Sequence, residues 1–319
     1  MLSVSKNTFS RLLMIGAPLF FVFAALQMLQ RNEPFYTWFY SFAWWSYILF
    51  VESFLFSRGH RSSLFVEPIR FLILLPLSIT IWLIFELFNF RLQNWHYLYL
   101  PHQRGLRWLG YSIAYATVLP AIFSTRNLLD SLGAFRKRGA VSLNIDRIKS
   151  TFTPIAIAML VLPILFPSLF FPMVWVVFGF LLEPVNYRSG ADSLLRDMEK
   201  GSARTLYLLL LSGLICGILW ECWNYWAGSK WIYTVPHLGF LRVFEMPVFG
   251  FLGFPPFAVE CYVMVNSFFL LANRIHQKWD TTRAVLFWIL AGALVVTFDV
   301  LVYLGIDAFT VVSFQTSMQ

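Results

Sequence analysis

The sequence predicts an all-α polytopic membrane protein: about nine transmembrane helices built as two parallel four-helix repeats plus one extra helix. Three observations lead there. Apolar residues fill 59% of the 319 positions and charged residues only 13%, about half the charge of a soluble domain. Several apolar stretches approach the roughly 20 residues needed to cross a bilayer. The chain also matches itself at an offset of 135 residues, and a repeat of this kind organises everything else.

In chain order, the spans are expected at about 11–28, 35–57, 68–90, 107–124, 151–165, 168–184, 204–223, 244–272 and 283–308. The first reads as a retained helix, because no small-x-small cleavage site follows it and further apolar segments continue to the C-terminus. Spans five and six are separated by a tight turn at Phe166-Pro167. The polar link 188–203, with Leu194 and Leu195 at its centre, is expected to lie on the membrane surface. The corresponding units are a first repeat at 1–130, a basic linker at 131–150, a second repeat at 151–275 and a C-terminal helix at 276–319.

The net charge of +8 reports topology and not nucleic-acid binding. With the N-terminus in the cytoplasm, only Arg31, Arg91, Arg104, Arg107, Lys230 and Arg242 of the 24 basic residues fall outside, as the positive-inside rule requires. An odd span count puts the C-terminus outside, and a bacterial inner membrane is the expected location. The cluster Arg136, Lys137, Arg138, Arg147 and Lys149 suits an anchor to anionic lipid.

In the repeat, FELFNFRLQNWHYLYLPH (85–102) matches WECWNYWAGSKWIYTVPH (220–237). Glu86 pairs with Glu221, Asn89 with Asn224, Trp95 with Trp231, Tyr97 with Tyr233, Pro101 with Pro236 and His102 with His237. Arg107 with Arg242 and Pro120 with Pro255 continue the series, and Glu52 and Gly59 stand opposite Glu183 and Gly190. Four spans per unit give both units the same orientation, hence parallel repeats about the membrane normal. Opposite Glu245 and Glu260 stand Gly110 and Thr125, which concentrates candidate chemistry in the second unit and leaves the first as a structural pseudo-copy.

Carboxylates at bilayer depth are costly and are candidate functional groups. Glu221 and Asn224 lie three apart on one helical face, as an acid with its amide or as a polar clamp. Glu260 follows Gly253-Phe-Pro-Pro, where two prolines are expected to break the helix. Glu245 precedes Met246-Pro247 and is either functional or a helix N-terminal carboxylate. Asp299 is expected to pair with Glu260 as an acid/base couple or to be held by one structural bond. Glu52 and Glu183 are expected to bond to neighbouring arginines. Trp220, Trp223, Trp231, Tyr233 and Phe254 are candidate substrate-binding aromatics, since aromatic faces stabilise cations. Cys216, Cys222 and Cys261 read as apolar packers. The histidines form no metal-ligand pattern, so no metal and no cofactor are expected.

The order Trp231-x-Tyr233, a loop, Glu245-x-Pro247, Gly253-x-Pro255 and Glu260 resembles the small integral-membrane carotenoid enzymes, the lycopene cyclases and carotenoid hydratases. In the cyclases a W-x-Y loop precedes a Pro-x-Glu-Glu-type motif at the start of the next helix. Here Pro255 to Glu260 carries a single, displaced glutamate, and four spans per unit exceed the three of a cyclase unit. The resemblance implies a hydrophobic isoprenoid or lipid substrate among membrane lipids. Glu260 or Glu221 would protonate a double bond, aromatics would stabilise the cation, and a second carboxylate would remove a proton, all without a redox cofactor. The alternatives are a transporter or lipid-binding protein whose pathway is lined by Glu86, Glu221 and Glu260, and a non-catalytic membrane subunit.

Overall fold

The computed structural model describes residues 2–136, 144–237 and 239–312, most of them helical. The first half runs α1 (Leu2–Leu29), α2 (Phe39–Ser57), α3 (Ser63–Val66), α4 (Pro68–Leu92), β1 (Trp95–Leu98), α5 (Arg104–Tyr115) and α6 (Val118–Ser131). It continues as α7 (Ile145–Leu165), α8 (Pro167–Phe170), a 3-10 turn (Phe171–Trp175), α9 (Val177–Ser189), α10 (Leu194–Glu199) and α11 (Arg204–Trp226). Then come β2 (Lys230–Tyr233), β3 (Arg242–Val243), β4 (Met246–Pro247), a second 3-10 turn (Val248–Gly253), α12 (Phe254–Lys278) and α13 (Thr281–Phe309). Linker residues 137–143, with Lys137 and Arg138, lie outside the described residues, as do the side chains of Arg147 and Lys149.

Among the described residues, seven helices are long and apolar enough to cross a membrane by length and composition, against the nine spans expected. Two segments account for the difference. The stretch at 107–124 is divided into α5 and α6, where Ala116 and Thr117 bond back to Ser112 and Ala114 and end the first helix. In α7, Ile145–Leu165, the described apolar stretch Thr151–Leu165 is below the spanning length.

The segment at 244–272 supplies one of the seven, Val248–Lys278, but is not one continuous α-helix. It opens as β4 and a 3-10 turn, and α12 begins only at Phe254. Pro255 and Pro256 therefore start a helix instead of breaking one, because in a first turn the missing N–H would have had no partner.

The core is aromatic. Trp44 packs edge-on to Trp223 at 4.6 Å, and Phe85 lies between Trp175 at 5.3 Å and Phe257 at 5.0 Å. α11 meets α12 through Gly213 and Gly217, where a Cβ would collide with Phe254; small residues let helix backbones approach closely. α13 is mostly exposed on its long apolar surface, which befits lipid contact. Leu194 and Leu195 are buried, with Leu194 against Leu209 and Val263, so α10 docks on its own bundle.

Among the described residues, Glu52 and Glu183 do not reach arginines as expected. Each instead receives the hydroxyl and a backbone N–H of the following short helix. Glu52 takes Ser62 at 2.6 Å and the Leu64 N–H at 2.9 Å, and Glu183 takes Ser193 at 2.6 Å and the Leu195 N–H at 2.9 Å. Backbone donors at a helix start need such partners.

β1 and β2 pair antiparallel, with Trp95 opposite Tyr233, His96 opposite Ile232 and Tyr97 opposite Trp231. Cross-strand partners project to the same face and alternate residues do likewise. The four aromatic rings of the two Trp-x-Tyr segments therefore gather on one side of the ribbon.

Candidate functional site

Glu86 and Asn89 sit one turn apart near the end of α4, both fully buried. Asn89 clamps the start of β1: its Oδ1 accepts the Asn94 and Trp95 N–H groups at 2.8 and 3.3 Å, and its Nδ2 donates to the Trp95 carbonyl at 2.8 Å. The clamp swings Trp95 and Tyr97 back over Glu86. Glu86 Oε1 then accepts Trp82 Nε1 at 2.8 Å, Trp95 Nε1 at 3.0 Å and the Tyr97 hydroxyl. Tyr115 in turn donates to the Tyr97 oxygen at 2.9 Å.

α11 repeats the device. Asn224 holds Trp231 by both its N–H and its carbonyl, at 2.9 and 2.8 Å. The Tyr233 hydroxyl donates to Glu221 Oε1 at 2.7 Å, and Trp231 Nε1 donates to the Tyr233 oxygen at 2.8 Å. Here the tryptophan addresses the phenol and not the carboxyl. In both copies the second carboxyl oxygen, Glu86 Oε2 or Glu221 Oε2, is buried without a hydrogen-bond partner. A buried polar atom so left is costly, and it is where a carboxyl can carry or accept a proton.

Both phenols reach one cavity of about 160 Å³. Tyr97, Trp95, Trp82 and Tyr115 line it from the first half, and Tyr233, Trp231, Trp220, Phe254 and Phe257 from the second. Trp175, Lys230 and Arg107 complete parts of its wall. The volume resembles that of an apolar cavity able to take a benzene, about 150 Å³. It therefore has room for a group about the size of a benzene ring. Burial, then the adjacent Glu86, raises the Tyr97 phenol well above its ordinary pKa, and burial with Glu221 does the same for Tyr233. Both remain protonated donors, fit to pass a proton on but not to lose one to water.

Two ion pairs flank the chamber. Arg107 grips Asp307 of α13 with two bonds of 2.7 Å and donates to the Pro101 and His102 carbonyls at 2.8 and 2.9 Å. Trp108 and Tyr111 also donate to Asp307, at 3.0 and 3.2 Å. Lys230 pairs with Glu245 at 2.6 Å. His96, on the ribbon's other face, contacts Gln93 and Thr234, and partial burial lowers its pKa.

Of the residues singled out in the sequence, Trp220, Trp231, Tyr233 and Phe254 line the cavity, with Glu221 and Asn224 directly behind them. Trp223 packs on Trp44 and Phe21 instead. Glu245 lies in the β3–β4 turn and bonds to Lys230, so it is no helix N-terminal carboxylate. Glu260 is fully buried away from the cavity lining, where it accepts the Phe178 N–H at 2.7 Å in the first turn of α9. Asp299 accepts the Thr80 hydroxyl at 3.1 Å. The structure thus does not join Asp299 to Glu260 as a couple, because each is engaged on a different helix.

Tyr115, Trp82, Arg107 and Asp307 were not expected in the site. Glu86, Trp95 and Tyr97 were visible in the repeat but assigned to a structural copy, whereas Trp95 and Tyr97, with Glu86 bonded behind them, share the cavity with Trp231 and Tyr233. Among the described residues, no three His, Cys, Asp or Glu side chains converge as a metal site would. No family model, curated protein or solved structure matches the chain.

Proposed function

We propose that this is a membrane-embedded enzyme that moves protons on and off the end group of an apolar isoprenoid or carotenoid-like molecule. Under this proposal two duplicated, parallel halves meet at the β1–β2 ribbon. Each contributes a tyrosine–glutamate pair to a shared aromatic chamber, and the arginine-rich ends of the helices face the cytoplasm.

One arrangement supports the reading above all: two cavity-lining phenols, Tyr97 and Tyr233, each bonded to a buried carboxyl whose other oxygen is bare. In the acid form, a carboxyl proton passes to the phenol oxygen as the phenol proton passes to a substrate double bond. The π electrons form the new C–H bond, leaving a carbocation that the tryptophan and tyrosine faces stabilise. The second pair acts as base. Its phenol oxygen takes a proton from a neighbouring carbon while its own proton goes to the carboxylate, and the released C–H electrons form a new double bond. The sequence balances as an isomerisation or cyclisation, with no oxidant consumed. The two pairs exchange roles in the next turnover. Glu260 has no part in this scheme.

The test is expression in an isoprenoid-accumulating host, followed by analysis of the apolar extract. A new isomer or cyclised product is expected with the wild type and is expected to vanish in Glu221→Gln. An extract identical to that of the empty host, with folded protein in the membrane, counts against the proposal.

A further inference from the structure

A second cavity, of about 110 Å³, lies at the end of the bundle opposite β1 and β2. Its wall takes Arg61 and Arg70 from either side of α3, Arg126 from α6, Asp192 from the α9–α10 link, and Tyr262 and Asn266 from α12. Three guanidinium groups there face two carboxylates, and the charges are unevenly matched. Glu67 serves two of them, Arg61 at 2.9 Å and Arg70 at 3.6 Å. Arg126 bonds through Nη1 only to the Asn127 side chain at 3.2 Å, and its buried Nε has no acceptor among the described residues.

We infer that this cavity binds a phosphate-type anion, either the phosphodiester of a membrane phospholipid or free phosphate. A guanidinium presents a rigid fork of donors that matches two phosphate oxygens, and an unsatisfied buried N–H is the group that gains most from such an acceptor. The Tyr262 hydroxyl and the Asn127 amide add neutral donors on the same wall. Glu67 and Asp192 oppose an anion, and the third arginine outweighs them. Ile69 and Leu72, flanking Arg70 on α4, are 75% and 61% exposed, which places this rim at the lipid boundary. Basic pockets between helices at the cytoplasmic boundary suit anionic head groups, and the proposed orientation puts the cavity on that side.

The full chain, purified in a neutral detergent, is titrated at constant ionic strength with inorganic phosphate. In parallel it is titrated with phosphatidylglycerol, against chloride and phosphatidylcholine as controls. Thermal midpoint and lipid retained in native mass spectrometry are read. At least one anion is expected to stabilise the wild type beyond its control, with the apparent affinity about fivefold weaker in Arg126→Gln. Arg70→Gln, on the opposite wall, is expected to give the same loss and decides the matter if Arg126→Gln does not fold. A response to phosphatidylglycerol alone identifies a lipid as the ligand. A response to phosphate alone identifies the free ion. No response beyond the controls, or an undiminished response in both variants, overturns the inference.

Discussion

Trp95 stands opposite Tyr233 across the β1–β2 ribbon, and Tyr97 correspondingly opposite Trp231. Each Trp-x-Tyr segment therefore meets the other in reverse, the register that a two-fold rotation between His96 and Ile232 would generate. The pairing brings Tyr97 and Tyr233, 136 positions apart in sequence, to one chamber, each bonded to its own buried glutamate.

That ribbon depends on the asparagine clamps. Asn224→Ala removes an acceptor from the Trp231 N–H and a donor from its carbonyl, which at about 1–3 kcal/mol per buried group left unpaired is expected to cost about 2–4 kcal/mol. Asn89→Ala is expected to cost at least as much. Denaturant unfolding in detergent measures both. A loss below about 0.5 kcal/mol, within the usual range for neutral surface substitutions, is incompatible with a clamp.

The buried acids are expected to separate by role. Glu221→Gln keeps an oxygen for the Tyr233 hydroxyl but cannot exchange a proton through it, so turnover is expected to fall about 100-fold or more with little change in stability. Glu260→Gln still offers an oxygen to the Phe178 N–H and is expected to retain most of the activity. The reverse ranking would assign the chemistry to Glu260.

Arg107 and Asp307 form a bidentate pair in which both side chains are largely buried. Removing one partner strands the other, so Arg107→Ala and Asp307→Ala are each expected to destabilise by about 3–5 kcal/mol. The double variant is expected to cost clearly less than the sum, with a coupling of about 1–3 kcal/mol. Strict additivity in a double-mutant cycle is the outcome that rejects the pair.

His96 introduces a pH dependence. Its pKa is lowered by burial, so the unfolded chain binds a proton more readily than the folded one. Stability is therefore full above the ordinary histidine value of about 6.5 and declines as pH falls from there toward the lower folded pKa. His96→Gln is expected to flatten that decline in unfolding experiments between about pH 7 and 5. A variant that keeps the wild-type slope assigns it to another group.

Membrane-type helices were legible in the sequence because apolar runs and sparse charge report directly on lipid burial, and Glu86, Asn89, Trp95 and Tyr97 were legible as the counterparts of Glu221, Asn224, Trp231 and Tyr233. What periodicity cannot show is which partner a buried acid meets. Glu260 drew attention through its setting after two prolines, yet those prolines open a helix and the carboxylate holds a backbone N–H of α9. Asp307 drew none, because its value comes from Arg107, 200 positions away in the chain. The break between α5 and α6 escaped notice since residues 107–124 carry enough apolar side chains to pass as one span.

Solvent deuterium tests the proton mechanism most directly. Membranes bearing the wild type are incubated in D2O with the apolar extract of an isoprenoid-accumulating host, and the new product is weighed by mass spectrometry. One deuterium bound to carbon per product molecule is expected, and no product is expected from the Tyr97→Phe, Tyr233→Phe double variant. A product without carbon-bound deuterium, an undiminished yield from the double variant, or an extract that the wild type leaves unchanged would contradict the account.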